Sequence, residues 1–262
     1  MKPIKALGQH FLRDPEVLED IARLVDPGSA HHVIEIGPGE GALTAWLVGH
    51  GTPVSALEKD PRAVDAVRAR LGDKVAVVEG DATGPDLDRL TLAAGGGVAF
   101  AGNLPYNAGA MILRRILGLP GSSPIGWRRA VLMFQREVAL RIVAPPDSRV
   151  YGIPSVLTQV RARAHLVREV PPSAFTPPPK VDSAVILLEP LATPLVPHDA
   201  FESFERFLDR AFAMRRKTLG NVLRDARPTL LALGLDPQAR AETLSPAQFV
   251  ALWRALEAAE RP

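Results

Sequence analysis

Short apolar runs alternate with segments of helical periodicity from residue 15 to residue 135. The apolar runs span residues 33–36, 54–57, 75–78, 98–101 and 130–134. The helical segments span residues 16–25, 41–49, 61–71 and 110–117. Strands separated by helices are joined by right-handed crossovers, which make the strands parallel and cover both faces of the sheet. The alternation therefore predicts an α/β fold with a mostly parallel sheet.

The pattern changes after residue 135. Residues 162–170 and 183–188 have the character of two more strands, and a proline-rich segment separates them. We expect these strands to form an antiparallel hairpin at the edge of the sheet. Helical periodicity then covers residues 200–214, 219–224, 228–233 and 246–260. Three prolines within residues 188–199 indicate a linker, so the sequence predicts a first domain of residues 1–189 and a small, all-helical domain of residues 190–262.

Composition excludes several classes of site. The 262 residues include no cysteine, which rules out disulfides, thiolate metal sites and thiol nucleophiles. No apolar stretch approaches the roughly 18 residues of a membrane span, and the first residues lack the apolar core of a signal peptide. We expect a cytoplasmic protein without a metal.

A glycine-rich turn follows the first apolar run, in the segment VIEIGPGEGALT at residues 33–44. Glycines let the backbone turn sharply and approach a ligand closely. The third glycine comes one residue too early for the dinucleotide fingerprint, which disfavours a nicotinamide dehydrogenase. The G-x-G-x-G spacing resembles methyltransferase motif I, and a plain tight turn is the alternative. We expect Gly37 and Gly39 to contact a cofactor.

Two carboxylates end the next two predicted strands. Glu58 lies 21 residues after Gly37, where a carboxylate can accept hydrogen bonds from both hydroxyls of a ribose. Asp81 ends the third run, where it can accept a hydrogen bond from the adenine amine of the cofactor. Each residue alone is equally consistent with a helix-entry or turn carboxylate. Together they place three ligand positions on the carboxyl edge of one sheet, where open α/β sheets bind ligands.

The fourth run ends in AGNLPYN at residues 101–107, which resembles the motif of amino-methyltransferases. The adenine N6 lone pair is delocalised into the ring and is therefore a poor nucleophile. The side-chain carbonyl of Asn103 and the main-chain carbonyl of Leu104 can accept its hydrogens, and Pro105 stiffens their backbone. Tyr106 offers a ring on which a base can stack. An Asn-Pro turn with a partly buried tyrosine is the structural alternative.

Phe175 is a candidate second ring. It lies in SAFTPPPKVDSAV, where the prolines favour a stiff, extended loop. We expect an extruded adenine to be held between Tyr106 and Phe175, because base extrusion exposes an edge that is otherwise stacked or paired.

The chain resembles the bacterial small-subunit ribosomal RNA adenine-N6,N6 dimethyltransferases. The matching segments keep the same order over nearly the whole chain. They are GQHFL (8–12), IEIGPGEGALT (34–44), EKD (58–60), GDA (80–82), GNLPYN (102–107), QREV (135–138), PPSAFTPPPKVDSAV (171–185), RRKTL (215–219) and RAE (240–242). The resemblance implies a Rossmann-like class I methyltransferase fold with a seven-stranded sheet and S-adenosylmethionine as cofactor. It also implies dimethylation of two adjacent adenosines in the 3′-terminal hairpin loop of 16S rRNA, in the immature 30S subunit, by a monomer.

Cofactor contacts also follow from the resemblance. They fall on His10, Leu12, Gly37, Glu58, Asp81 and Asn103. His10 stands where the family often has asparagine; both side chains can donate a hydrogen bond. Glu40 stands where the family commonly has an apolar residue.

Basic residues concentrate between residues 210 and 227, where six lysines and arginines accompany one acid. We expect Arg215, Arg216 and Lys217 to contact RNA phosphates, which position an RNA without reading its sequence. Arg128, Arg129, Arg136 and Arg141 are candidates to extend this surface. The alternatives are a solvated helix face, or attachment of the helical domain to the catalytic one through carboxylates.

Two other functions stay open. An erythromycin-resistance-type methylase acts on one adenine of large-subunit (23S) rRNA, but the NLPY and FTPPPKVDSAV segments and the C-terminal RRKTL and RAE favour the small-subunit enzyme. The other alternative is a ribosome-assembly checkpoint protein that acts mainly by binding, but Asn103 and Tyr106 favour retained catalysis.

Overall fold

The computed structural model describes residues 9–25, 30–118, 126–214 and 216–260. Its strands are β1 (Phe11–Leu12), β2 (Val33–Ile36), β3 (Val54–Glu58), β4 (Ala76–Glu79), β5 (Val98–Asn103), β6 (Trp127–Gln135), β7 (Ala162–Val170), β8 (Phe175–Thr176) and β9 (Ser183–Pro190). Seven of them form one sheet in the order β4-β3-β2-β5-β6-β9-β7. The first five strands in this order are parallel, and β9 is antiparallel to both of its neighbours.

The predicted fold class is confirmed. The central strands are mostly apolar because helices cover both faces of a parallel sheet, and every residue of β2 and β3 is buried. The predicted antiparallel hairpin of β7 and β9 is also confirmed. Strand β9 lies between β6 and β7, and β7 forms the edge of the sheet. A second, two-stranded sheet pairs β1 with β8, which the sequence did not predict.

The helices lie between and after the strands. They are α1 (Pro15–Leu24), α2 (Ala42–Val48), α3 (Pro61–Leu71), α4 (Asp86–Ala93), α5 (Gly109–Gly118), α6 (Arg136–Val143), α7 (Ile153–Gln159), α8 (Phe201–Phe212), α9 (Leu219–Val222), α10 (Arg227–Ala232) and α11 (Pro246–Glu260). No helix was predicted from the sequence at α4, α6 or α7. Each has only seven or eight residues, about two turns, and at that length apolar periodicity is weak evidence, which detected α2 but not these three helices.

The proline-rich segment after β9 is packed against the α/β part. Leu191 and Leu195 donate main-chain hydrogen bonds to the carbonyls of Arg161 and Val160. The buried Arg161 guanidinium in turn donates to the main-chain carbonyls of Leu117 at 2.8 Å and Val196 at 2.9 Å. A single apolar cluster runs from the sheet into α8 and α11. The domain boundary at residue 190 stays a prediction.

Within the described ranges, no helix combines the length and hydropathy that a membrane span requires.

Candidate active site

The carboxyl ends of β4, β3, β2 and β5 meet at one edge of the sheet and border a cavity. Because these four neighbours are parallel, residues that end them are brought close together. Ten of the eleven predicted catalytic and cofactor residues line this cavity, and Phe175 does not. The ten are His10, Leu12, Gly37, Gly39, Glu58, Asp81, Asn103, Leu104, Pro105 and Tyr106.

The glycine turn between β2 and α2 forms one wall. Gly39 has a φ of +56°, a left-handed conformation that favours glycine. A Cβ atom at Gly39 would lie 3.0 Å from the Phe11 ring, so a side chain there would collide with the N-terminal segment. The glycine spacing therefore also reflects close packing of the turn against β1.

Glu58 holds this turn in place. Its Oε2 accepts a hydrogen bond from the Gly39 amide at 3.1 Å, and its Oε1 accepts the amides of Lys59 at 2.8 Å and Asp60 at 2.9 Å. A carboxylate offers about four acceptor positions, so about one remains, on Oε2. That leaves room for one ribose hydroxyl rather than two. Burial raises the pKa of Glu58, although the three amides oppose the shift.

Asp81 is held by two neighbours at the cavity rim. Its Oδ2 accepts the Lys59 ammonium at 2.7 Å, and its Oδ1 accepts the Thr83 amide at 2.9 Å and hydroxyl at 2.7 Å. The hydrogen bond from Lys59, followed by that from Thr83, lowers the pKa of Asp81 to about 2. The side chain is therefore an acceptor at neutral pH, and Oδ2 is its less occupied oxygen.

Glu35 is a site residue that the sequence analysis missed. It lies in β2, lines the cavity, and is only 1% exposed. Its Oε2 has no hydrogen-bond partner among the described residues. Its pKa is raised from 4.5 to about 8, mainly by burial and to a smaller extent by the nearby Glu58, while the Thr44 hydroxyl opposes the shift. The available signal was a single acid inside an otherwise apolar strand, directly before the glycine turn.

We expect Glu35→Gln to flatten the pH dependence of stability. Folded Glu35 keeps its proton up to about pH 8, whereas the unfolded chain releases it near pH 4.5, so the free energy of unfolding falls as pH rises between these values. The neutral amide removes this loss. The melting temperature of the variant should exceed that of the wild type by several degrees near pH 8, and by less near pH 5.

Glu19→Gln, at an exposed position of α1, supplies the control for the removal of one surface carboxylate. If the melting temperatures of Glu35→Gln and the wild type change with pH in the same way, Glu35 is not protonated in the folded chain.

Asn103 ends β5 with its amide oriented by the N-terminal segment. Its Nδ2 donates a hydrogen bond to the main-chain carbonyl of His10 at 2.8 Å. A carbonyl only accepts, so the nitrogen must face His10 and Oδ1 is free to accept from another donor. The next residue, Leu104, is 1% exposed, and its amide donates to the Met133 carbonyl at 3.1 Å. The backbone at this position is thus fixed by β6.

Two contacts fix the side chain of Tyr106. Its hydroxyl is hydrogen-bonded to the Ser183 hydroxyl at 2.7 Å, and its ring stacks on that of His10 with centroids 5.4 Å apart. Burial raises the pKa of the phenol, and Ser183 opposes this only in part, so the hydroxyl stays protonated at neutral pH. Pro105 precedes it, and the Pro105 carbonyl accepts the amides of Ala108 and Gly109 in the turn that begins α5.

The structure does not bring Phe175 to the cavity. The residue pairs with Leu12 across the two-stranded sheet, which turns its ring into an apolar core cluster with Leu12. Its ring is only 3% exposed. In this arrangement the face that the sequence analysis assigned to the base is covered by protein.

The N-terminal segment lines the cavity and is held by contacts that sequence spacing does not reveal. Gln9 donates to Asp60 at 3.0 Å, and Arg13 forms an ion pair with Glu40. Asp60 is 3% exposed, and its hydrogen bonds from Arg62 lower its pKa to about 2. Glu40, which departs from the family pattern, therefore pairs with a residue of this segment.

The candidate RNA-binding residues have different surroundings. Arg216 and Lys217 are exposed and form no ion pair within the described part of the chain, whereas Arg215 lies outside the described residues. The nearby Arg210 pairs with Asp225 at 3.0 Å. Three of the other candidates are also paired, so their charges are compensated: Arg129 with Glu189, Arg136 with Glu169 and Arg141 with Glu137.

Comparison with known families and sequences gives a consistent result. The family model for ribosomal RNA adenine dimethylase matches residues 2–257. A protein of Sinorhizobium medicae named ribosomal RNA small subunit methyltransferase A is 44% identical over 254 residues, covering 95% of this chain and 90% of the relative. A protein of the same name from Anaeromyxobacter dehalogenans is 42% identical over 275 residues, covering 96% and 93%.

Two solved structures share the fold over nearly the whole chain. A dimethyladenosine transferase from Plasmodium falciparum superposes with a TM-score of 0.74 at 24% identity, covering 95% of this chain and 98% of that one. The 23S rRNA methyltransferase ErmE superposes with a TM-score of 0.68 at 26% identity, covering 94% and 99%.

Proposed function

Because the chain belongs to the ribosomal RNA adenine dimethylase family, we propose that it dimethylates N6 of two adjacent adenosines in the 3′-terminal hairpin loop of 16S rRNA. The methyl donor is S-adenosylmethionine. The observation that carries this assignment is the convergence of the glycine turn, Glu58, Asp81, Asn103 and Tyr106 on one cavity.

The cofactor half of the cavity fits a nucleoside with a cationic side chain. Glu58 has one acceptor position left for a ribose hydroxyl, and Asp81 Oδ2 accepts from the adenine amine. The turn at Gly37 and Gly39 lets the backbone approach the ligand, and Leu12 closes the apolar side. When bound, S-adenosylmethionine supplies an electrophilic methyl group on a positively charged sulfur.

The base half of the cavity activates a poor nucleophile. Asn103 Oδ1 and the Leu104 carbonyl accept the two N6 hydrogens, which favours a tetrahedral nitrogen with an available lone pair. Tyr106 stacks on the base, and its fixed ring limits the orientations that the base can adopt. The N6 proton becomes acidic only as positive charge develops, so no strong general base is needed before transfer.

We favour small-subunit RNA as the substrate over a single adenine of large-subunit RNA. The small-subunit relatives are 42–44% identical to this chain, compared with 26% for ErmE. We place the reaction in the cytoplasm, on the immature 30S subunit, with a monomeric enzyme. The α/β part, residues 1–189, carries the chemistry and residues 190–262 contact RNA.

Labelled methyl transfer tests the reaction. Undermethylated small subunits incubated with the protein and methyl-labelled S-adenosylmethionine should yield N6,N6-dimethyladenosine after digestion of the RNA. An absence of labelled nucleoside, with the protein folded and cofactor-bound, would refute the proposed catalysis and favour a purely binding role.

Replacing Arg215, Arg216 and Lys217 together by alanine should weaken RNA binding and flatten its salt dependence. Each lost phosphate contact lowers the slope of log affinity against log salt by about 0.7–0.9. Binding titrations at several salt concentrations measure this slope. The ion-paired Arg136 supplies the control, and Arg136→Ala should change the slope by much less.

If the three residues instead attach the helical part to the α/β part, the triple variant will melt at a lower temperature and keep its salt slope. That result would show that these residues do not contact RNA.

A further inference from the structure

His10 contacts the proposed base site rather than only the cofactor side of the cavity. Its ring stacks on Tyr106 at a centroid distance of 5.4 Å with 29° between the planes. Its Nδ1 donates a hydrogen bond to the Pro177 carbonyl at 2.9 Å, and its own carbonyl accepts the Asn103 amide at 2.8 Å. One residue of the N-terminal segment therefore touches both side chains proposed to handle the adenine.

The stacking distance limits where a base can lie. A base inserted between two rings needs them roughly 7 Å apart, twice the contact distance of about 3.5 Å between carbon atoms. The rings of His10 and Tyr106 are closer than this. Phe175 is buried in the core and offers no face either. A base that stacks on Tyr106 in this arrangement must use the ring face that His10 leaves uncovered.

We propose that His10 is a positioning residue for methyl transfer: its ring supports one face of Tyr106 so that the other face receives the target adenine. The inference rests on the proposed function, because it assumes that Tyr106 stacks on the base. The hydrogen bond to Pro177 fixes the plane of the His10 ring, and the Ser183 hydroxyl fixes the far end of Tyr106. The Tyr106 ring is thus held by His10 on one face and by Ser183 at its hydroxyl.

The chain offers variants that separate the ring from the hydrogen bond. His10→Asn keeps a side-chain donor for the Pro177 carbonyl and removes the ring, whereas His10→Phe keeps a ring and removes the donor. Tyr106→Ala is the reference for loss of the stacking surface. All variants are first compared with the wild type by melting temperature and by S-adenosylmethionine affinity.

Two readouts distinguish positioning from a structural role. One is the single-turnover methylation rate at saturating cofactor and RNA. The other is the fluorescence of 2-aminopurine placed at the target position of the RNA, which is quenched when the extruded base stacks on an aromatic ring. In His10→Asn we expect a rate about 2- to 10-fold below wild type and a fluorescence shifted towards that of Tyr106→Ala. His10→Phe, which keeps the ring but loses the hydrogen bond to Pro177, should recover most of both.

The outcomes separate the inference from the proposed function. If Tyr106→Ala matches the wild type in both readouts, the proposed base site and the inference both fail. If Tyr106→Ala is impaired while His10→Asn matches the wild type, only the inference fails. If His10→Asn loses cofactor affinity but keeps its rate at saturating cofactor, His10 acts on the cofactor, and the inference is overturned.

Discussion

Asn103→Ala is expected to lower the single-turnover methylation rate by about 100- to 1,000-fold at saturating cofactor and RNA. The estimate follows the cost of removing one preorganised hydrogen-bonding group that acts on a reacting atom. The orientation of the amide, with Nδ2 donating to the His10 carbonyl, leaves Oδ1 for the adenine amine. Because this acceptor acts mainly on the nitrogen as it becomes tetrahedral, the loss belongs to the chemical step.

Asn103 lies in the shared cavity, so some loss of cofactor affinity accompanies the variant, and saturating cofactor separates the two effects. RNA affinity should remain within about twofold of the wild type. The exposed Asn221 on α9 supplies a matched control, since Asn221→Ala removes the same side chain far from the cavity. An Asn103→Ala rate close to that of the wild type would show that the amide does not act on the nucleophile.

Glu58→Ala should weaken S-adenosylmethionine binding by about 10- to 150-fold. The lost hydrogen bond to a charged acceptor is worth about 1.5–3 kcal/mol. The Glu58 carboxylate also accepts the Gly39 amide, so the same change releases the glycine turn and moves the result towards the upper end of the range. Isothermal titration calorimetry measures the affinity directly.

Asp81→Ala should have a smaller effect in the same direction, because Asp81 lies at the more solvated rim of the cavity. Glu79→Ala is the matched control. Glu79 occupies the position on β4 that pairs with Glu58 in register, yet it is exposed. Unchanged affinity in both Glu58→Ala and Asp81→Ala, with melting temperatures near that of the wild type, would show that the cofactor does not bind at this edge of the sheet.

The bounds of several strands and helices were predicted correctly from the sequence. The runs at β2 and β7 match their strands residue for residue, and α3 and α11 match their helices. β2 is a short apolar run that ends at a glycine turn, and α3 and α11 span at least three turns of helical periodicity. The helices α4, α6 and α7 span only about two turns. The pairing of β1 with β8 joins residues 11–12 to residues 175–176, and no local pattern encodes such a contact.

The sequence predicted which residues lie at the candidate site better than it predicted the contacts between them. Residues at strand ends were placed together because parallel strands end at one edge, which needs only the order of elements. Contacts between distant segments were not accessible in the same way. They include the ion pair of Arg13 with Glu40, the stacking of His10 on Tyr106 and the burial of Phe175. The sequence shows Glu35 as an acid in an apolar strand, but its place in the cavity, with an Oε2 that has no partner among the described residues, needed the structure.

The most direct test of the assigned substrate is to map the methylated adenosines when small- and large-subunit particles, both undermethylated, compete in one reaction. Mass spectrometry of the RNA fragments identifies each modified position. We predict two adjacent N6,N6-dimethyladenosines in the 3′-terminal hairpin loop of 16S rRNA and none in 23S rRNA. Methylation of a single adenosine in 23S rRNA, with the 16S hairpin unmodified, would contradict the account.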